Sequence, residues 1–337
     1  MARHAGVSQA TVSIVLNGTT TPIRVSPATR SRVLAAADSL GYVPNHAAAS
    51  LRRQRTRSIT FINPSPDNPY FAEVVAAAQA AAETAGYSIS VAAIPTREAA
   101  VHILAHLNAG TSDGVIVGSR DPRVLAELAP AIRRGLAVVA LQYDGEDPHV
   151  SVIRTDREAG GYLATCHLLA LGHRRIGHLT DGSAYARRPG ERTAGYRRAL
   201  AEAGLEARSE WSVAGANTLA GGDASMRELL ASAGDERPTA VFAFNDQMAI
   251  GALHALRTSG LRVPEDMAVV GFDGIGLGAF TTPELTTIEQ PRAEVGRRAV
   301  ELVLDSLDGA SLSPTQATLP VHLVVRESCG ASRIHGR

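Results

Sequence analysis

Four sets of residues have types and spacings that could carry chemistry. Gly110-Thr111-Ser112-Asp113-Gly114 fits the G-x-S-x-G pattern, in which a serine at a strand-to-helix turn becomes a nucleophile. Gly274-Ile275-Gly276-Leu277-Gly278-Ala279 fits G-x-G-x-x-[G/A], whose glycines let backbone N–H groups approach a dinucleotide pyrophosphate. His102 and His106 stand four apart, as zinc-binding histidines do on a helix. Cys166 and Cys329 supply two thiols. The elements around them do not support that chemistry. A helix over 97–109 precedes Ser112 and a strand over 114–118 follows it, so the serine reads as a turn residue. The glycine run leads into Thr282-Pro283-Glu284-Leu285-Thr286-Thr287-Ile288, a loop, with no βαβ unit and no acid closing a second strand. The histidine pair lacks the glutamate of H-E-x-x-H. Cys166 lies in an apolar helical run as a buried structural thiol, and neither cysteine has metal-ligand spacing around it. The chain is expected to have no catalytic residues, no metal and no cofactor.

A fifth set suits recognition. Residues 5–18 read as a short helix, a glycine turn and a second short helix, capped by Ser8 and stopped by Gly18. Val12, Val15 and Leu16 share one face of the second helix, while Gln9, Ala10 and Ser13 face away. An apolar back with a small polar front suits a helix that enters the major groove; it equally suits a plain amphipathic surface helix. Charge separates these readings. Residues 1–57 hold eight arginines and one acid, Asp38, a net of +7, and the remaining 25 arginines and 32 acids give −7. A basic head on an acidic body points to a polyanion bound at one end. Ser26-Pro27 starts a third helix, on which Arg30, Val33, Ala37 and Leu40 recur toward Gly41 and close a miniature core. Beyond Tyr42-Val43-Pro44-Asn45, Asn45 caps a helix over 46–53. Two turns are too few to be stable alone, so this helix needs packing on its copy or on DNA. Leu51 has no local core to enter; it is a dimer-packing residue, a minor-groove wedge, or both.

From residue 58 the chain alternates apolar strands (57–62, 88–93, 114–118, 137–141) with helices (69–85, 97–109, 122–134). The pattern restarts near 158, with helices over 158–171, 191–203, 222–231 and 247–259 and strands over 176–180, 211–213, 240–243 and 267–272. This implies an α/β body of two doubly wound parallel sheets with a cleft between them, in which strand ends hold the ligand. Residues 286–288 are expected to return toward the first lobe, where a helix over 292–307 belongs. At 337 residues and 45% hydrophobic content the chain has room for two or three cored domains. It has neither an apolar run of about 20 residues nor a secretory signal at its start, so no membrane association is expected and the cytoplasm is the expected compartment.

The pattern Ala5-Gly6-Val7-Ser8, Thr11-Val12-Ser13, Leu16-Asn17, Val25-Ser26, Thr29-Arg30, Gly41-Tyr42-x-Pro44-Asn45 and Leu51 resembles the DNA-binding head and hinge of the LacI/GalR family of bacterial repressors. The resemblance continues through the body. It implies a homodimeric repressor, controlled by a small-molecule effector, on near-palindromic double-stranded operator DNA. It implies that Gln9, Ala10 and Ile14 face base edges, that Thr11, Ser13, Asn17, Tyr42 and Asn45 position the head on phosphates, and that Leu51 wedges the minor groove. Two departures stand out. The family's first helix begins several residues before this Met1, so an upstream start is expected, and a head beginning here should fold poorly. Ile14 stands where many members carry an arginine, so base preference there should differ, with contact to a thymine methyl one outcome.

In the body the resemblance implies the periplasmic-binding-protein type I fold, crossed three times between lobes. The expected division is a helix-turn-helix head at 1–44, a hinge at 45–57 and an effector domain at 58–330. Lobe 1 then covers about 58–157 and 290–319, and lobe 2 about 158–287 and 320–330. Effector contacts are expected at Tyr70, Phe71, Asp156, Arg192, Asn245, Asp273 and Gln290. For Arg192, Asn245 and Asp273 the alternative is a capping or lobe-to-lobe hydrogen bond. Near Asn217, polar where relatives are often aromatic, hydrogen bonding replaces stacking, which suits a sugar better than a purine. A transport solute-binding protein would account for the body but not for the basic head, and an enzyme would lack a nucleophile–base set.

Overall fold

The computed structural model describes residues 1–17, 25–42, 55–94, 97–119, 121–143, 145, 147–182, 190–232, 234–309 and 313–331. Met1–Thr56 and Arg57–Arg337 form separate compact units. The first holds α1 (Ala2–Ala5), α2 (Gln9–Asn17) and α3 (Pro27–Ser39). Ser8 Oγ accepts from Thr11 N at 3.1 Å and Ser26 Oγ from Thr29 N at 3.2 Å, so both helices start on side-chain caps. Gly6, at φ 62°, makes the turn between α1 and α2. Ala5, Val15, Val33 and Ala36 form the buried centre, with Val12 and Leu16 packed against it. Leu40 does not join this core: α3 ends at Ser39, and Leu40 is 49% exposed in the C-cap. Gly18 and the expected helix over 46–53 lie outside the described residues.

The second unit carries two six-stranded sheets. Its first lobe begins with β1 (Ser58–Asn63), α4 (Pro69–Thr84), β2 (Ser88–Ala93), α5 (Arg97–Asn108), β3 (Gly114–Val117), α6 (Pro122–Ile132), β4 (Ala137–Leu141) and β5 (Ser151–Thr155). The chain then enters the second lobe through α7 (Arg157–Ala170), β6 (Ile176–Asp181), α8 (Glu191–Glu202), β7 (Ser212–Gly215), α9 (Leu219–Ser232), β8 (Ala240–Ala243), α10 (Asp246–Thr258), β9 (Ala268–Asp273) and β10 (Thr286–Glu289). It returns through α11 (Arg292–Leu307) and β11 (Gln316–Leu319) and crosses again to β12 (His322–Val324). The orders are β11-β5-β4-β3-β1-β2 and β12-β10-β9-β8-β6-β7. The first sheet is wholly parallel, and in the second only β12 runs antiparallel. β3, β4, β8 and β9 are buried at every residue, as strands covered by helices on both faces must be. In lobe 1, Phe61, Ile116 and Val139 pack with α4 and α11, while Ile62, Val115 and Val117 face α5 and α6.

Residues 286–288 do not return to the first lobe. Thr286, Thr287 and Ile288 are β-branched and fully buried, and they extend the second sheet between β9 and β12. The return begins two residues later, at Gln290-Pro291, where proline cannot continue the ladder. Pro320 occupies the matching place in the third crossing, and Asp156 lies in the first. Four strands had no assignment from sequence: β5, β10, β11 and β12. The order reverses between β1 and β3 in one sheet and between β6 and β8 in the other, so each sheet opens a crevice at these strand ends.

α7 and α8 touch backbone to backbone. A methyl group on Gly161 would lie 2.1 Å from the Arg192 carbonyl oxygen, and one on Gly195 would lie 2.0 Å from that of Glu158. Gly161→Ala should therefore separate the helices and cost about 1–3 kcal/mol. Thermal unfolding should register a fall of several degrees; an unchanged midpoint would contradict the contact.

The β9–β10 connection is tied to α10 by Asp246, which is fully buried. Its Oδ2 accepts from Ile275 N at 2.8 Å and its Oδ1 from Thr287 Oγ1 at 2.5 Å. Burial, then the nearby Asp273, pushes its carboxyl up to about 8. The folded state thus keeps a proton that the unfolded chain releases near pH ~3.9. The stability this group contributes is complete below that pH and is lost as pH rises through about 8. Asp246→Asn removes the titration, so its melting temperature relative to wild type should rise steadily between about pH 5 and 8.5. A gap that does not change with pH would refute this.

Candidate functional site

In the head, Gln9 and Ala10 open α2 and are exposed, while Thr11, Ser13 and Ile14 follow half-buried. Thr11 Oγ1 shares a 2.9 Å hydrogen bond with Ser8 Oγ, which fixes it at the helix start. Asn17 is the last residue of α2. Tyr42 is 47% exposed, and its N–H donates to Ala37 O at 2.9 Å. Arg3, Arg30 and Arg32 are exposed basic groups of the same unit. Asn45 and Leu51 lie outside the described residues.

In the body, the two crevices meet in a cavity of about 270 Å³. Tyr70, Phe71, Arg192, Asn245, Asp273 and Gln290 all line it. Asp156 does not. Its side chain turns back to accept from Ala159 N at 2.9 Å, capping α7, and it is exposed; as the first residue after β5 it serves the helix rather than the cleft. Its neighbour Arg157 lines the cavity instead, paired to Glu191 Oε2 at 2.5 Å. Asn245 does two things: it lines the cavity and caps α10, accepting from Met248 N at 2.8 Å.

Arg192 and Asp273 are the centre. The Arg192 guanidinium lies between the rings of Phe244 (4.3 Å) and Phe272 (3.8 Å), donates to the Phe244 carbonyl and reaches Asp273 Oδ1 at 3.2 Å. Burial pushes the Asp273 carboxyl up, while Arg192 and Gln290 pull it back. A chain of side chains continues from it into lobe 1. Gln290 Nε2 donates to Asp273 Oδ1 at 2.7 Å, Thr155 Oγ1 donates to Gln290 Oε1 at 2.5 Å, and Gln142 Nε2 donates to Thr155 Oγ1 at 2.9 Å. All four residues are buried. Behind Arg192, burial holds His178 near 4 and hence neutral; Nδ1–H donates to Phe242 O at 2.9 Å and Nε2 accepts from Thr193 at 3.0 Å, which fixes the start of α8.

Asn217 Oδ1, in the lining, is buried without a hydrogen-bond partner among the described residues, and the buried Tyr70 hydroxyl, also in the lining, faces Gln142. Burial pushes the Tyr70 hydroxyl up to about 12, so it stays protonated and remains a donor. Tyr70 and Phe71 meet edge to face at 5.2 Å, which makes one wall apolar. Asn68, which opens the stretch 68–71 read from sequence as facing the cleft, lines the cavity; sequence reasoning missed Gln142, Arg157, Asp181 and Glu191, which line it as well. The strand-end rule that found Asn245 would have found Asp181, the last residue of β6. The same rule would have found Gln142, the first residue after β4, although its φ of 58° is not announced by its residue type.

Two family descriptions match the chain: bacterial regulatory proteins of the lacI family over residues 1–45, and the periplasmic binding protein-like domain over 165–329. The HTH-type transcriptional repressor PurR of Aliivibrio salmonicida is 36% identical over 91% of both chains. The ribose operon repressor of Haemophilus influenzae is 33% identical over 97% of both. Among solved structures, the lac repressor dimer bound to operator and the anti-inducer ONPF superposes with a TM-score of 0.83 at 30% identity, covering 97% of each chain. The transcriptional regulator CelR in complex with cellobiose gives 0.75 at 35% identity, covering 97% of this chain and 98% of that one. No helix among the described residues is long and apolar enough to cross a membrane. With relatives aligned along nearly its whole length at this identity, the chain belongs to the LacI family of bacterial regulatory proteins, DNA-binding repressors controlled by a small-molecule effector.

Proposed function

We infer that the effector is a sugar or sugar derivative held in the interlobe cavity. The observation that carries this reading is the set of polar groups in the cavity: a buried Arg192–Asp273 pair at its centre, the protonated Tyr70 hydroxyl, and Asn217 Oδ1 left to be matched by a ligand rich in hydroxyl groups. Phe71 and Phe244 supply flat apolar surface for the ring face of such a ligand. Tyr70, Phe71, Arg192, Asn245, Asp273 and Gln290 are the proposed contacts. The ribose operon repressor and the cellobiose-bound CelR among the relatives agree with this class. The protein acts in the cytoplasm as a homodimer and is not an enzyme. Exposed Phe280 and Leu277 on lobe 2 are apolar surface that a second copy would cover.

On DNA, Gln9, Ala10 and Ile14 take base edges, and Thr11, Ser13, Asn17, Tyr42 and Asn45 take phosphates. Leu51 wedges the minor groove. The effector then acts by linkage: it favours one lobe angle, hence one spacing of the paired hinge segments, and so changes operator affinity. An inducer and a corepressor differ only in which spacing they favour.

The full chain should bind a near-palindromic duplex selected from a randomised pool, with affinity falling roughly a thousandfold or more between about 50 and 200 mM salt. Deleting residues 1–57 should abolish binding and leave the body folded. A salt-insensitive complex, or one that survives the deletion, would refute the DNA reading. In thermal-shift titration against a panel including ribose and cellobiose, at least one sugar should raise the melting temperature. Arg192→Met should weaken that sugar roughly tenfold to a hundredfold, the effect of losing charge-assisted hydrogen bonds. Full affinity in Arg192→Met would place the site elsewhere.

A further inference from the structure

Arg292 is not part of the cavity lining, yet it holds the main chain of Asp273, the residue whose carboxylate is central to the cavity. It is the first residue of α11, in lobe 1. Its Nη1 donates to the main-chain oxygen of Asp273 at 2.5 Å, and its Nη2 to Glu289 Oε1 at 3.3 Å, both in lobe 2. Its Nε donates to Glu73 Oε2 at 2.7 Å, on α4 of lobe 1. One guanidinium, 11% exposed, therefore brackets groups from both lobes. The planar fork of arginine suits this; a lysine ammonium has no equivalent geometry.

What Arg292 holds is strained. Asp273 has φ 113°, a conformation that non-glycine residues adopt at a cost, and Gly274 follows at φ 73°. A methyl group on Gly274 would lie 2.8 Å from Arg292 Nη1, so the turn is built around the guanidinium. The same Asp273 receives Arg192 and Gln290 on its carboxylate. On the lobe 1 side, α11 presses on α4 so closely that a methyl on Gly296 would lie 2.2 Å from the Val74 carbonyl oxygen. The first turn of α4 carries Tyr70 and Phe71. Displacing α11 against lobe 2 thus moves one wall of the cavity and releases the central carboxylate of the other.

We propose that Arg292 is the positioning residue that sets the angle between the lobes. It holds Asp273 in its strained conformation at the lobe angle seen here and lets it relax when the lobes part. The bearing of this clamp on regulation rests on the effector reading above, but its test needs neither effector nor DNA, so either can fail without the other.

The test is the interlobe distance in the full chain. Spin labels on Glu83→Cys in lobe 1 and Ala203→Cys in lobe 2, both exposed positions, are read by electron–electron resonance. The background is Cys166→Ser, and labelled chains are diluted with unlabelled ones. Arg292→Met removes both hydrogen bonds into lobe 2 and should raise the ratio of a longer to the shorter distance about tenfold or more, the loss of at least one charge-assisted hydrogen bond. Arg292→Lys should shift it in the same direction. Arg262→Met, which removes an exposed pair with Asp266, should leave it unchanged. An unaltered distribution in both Arg292 variants overturns the proposal, even if their melting temperatures fall, since Arg292 would then be structural only. If Arg292→Met does not fold, Glu73→Gln removes the lobe 1 anchor alone; a longer population supports the clamp, and an unaltered distribution overturns it.

Discussion

The body of this protein depends on keeping two opposite charges, Arg192 and Asp273, out of water. Such a pair stands only if its remaining donors and acceptors are met, because desolvation can exceed the Coulombic gain. The surroundings are arranged accordingly. Phe244 and Phe272 face the guanidinium, the Phe244 carbonyl takes one of its N–H groups, and Gln290 supplies the carboxylate with a second donor. Gln290 is in turn held by Thr155, and Thr155 by Gln142. The requirement to satisfy one buried carboxylate therefore propagates from lobe 2 across two of the crossings into lobe 1. A ligand that changes the balance at Asp273 acts on a network that already spans the cleft.

Helix packing serves the same centre. α8 carries Arg192 and approaches α7 so closely that only glycine fits at Gly161 and Gly195. Neutral His178 fixes the first turn of α8 through Thr193. The backbone that carries Arg192 is thus fixed by contact with α7 and by the neighbouring Thr193, and its guanidinium by Phe244 O and Asp273.

Much of this was legible in the sequence, and the failures have particular causes. Continuous apolar strands alternating with amphipathic helices announce parallel sheets, and the polar residues ending β8 and β9 lead to Asn245 and Asp273. Asp156 was misplaced because an acid at a lobe crossing can serve the cleft or the following helix, and only coordinates separate these uses. Residues 286–288 looked like connection because the run is short and polar by composition; as Thr-Thr-Ile it is β-branched, and its burial comes from partners far away in sequence. β5, β11 and β12 are three to five residues long, too brief for a period to show. Arg292 could not be read at all: an arginine opening an amphipathic helix looks solvated, and its side-chain partners include groups 19 and 219 residues away.

The charge split has a consequence for how such a protein searches a genome. Non-operator sites outnumber the operator by a factor on the order of a million or more, and they are bound through phosphates alone. The +7 of the first 57 residues strengthens every such encounter, while the −7 of the remainder weakens it. Contacts to base edges are indifferent to that acidic counterweight. A net charge of zero is therefore not neutrality toward DNA: the acidic remainder weakens every phosphate-borne complex, operator and non-operator alike, and shortens the dwell on each wrong site, while the discrimination between sites, which rests on base edges, is left as it was.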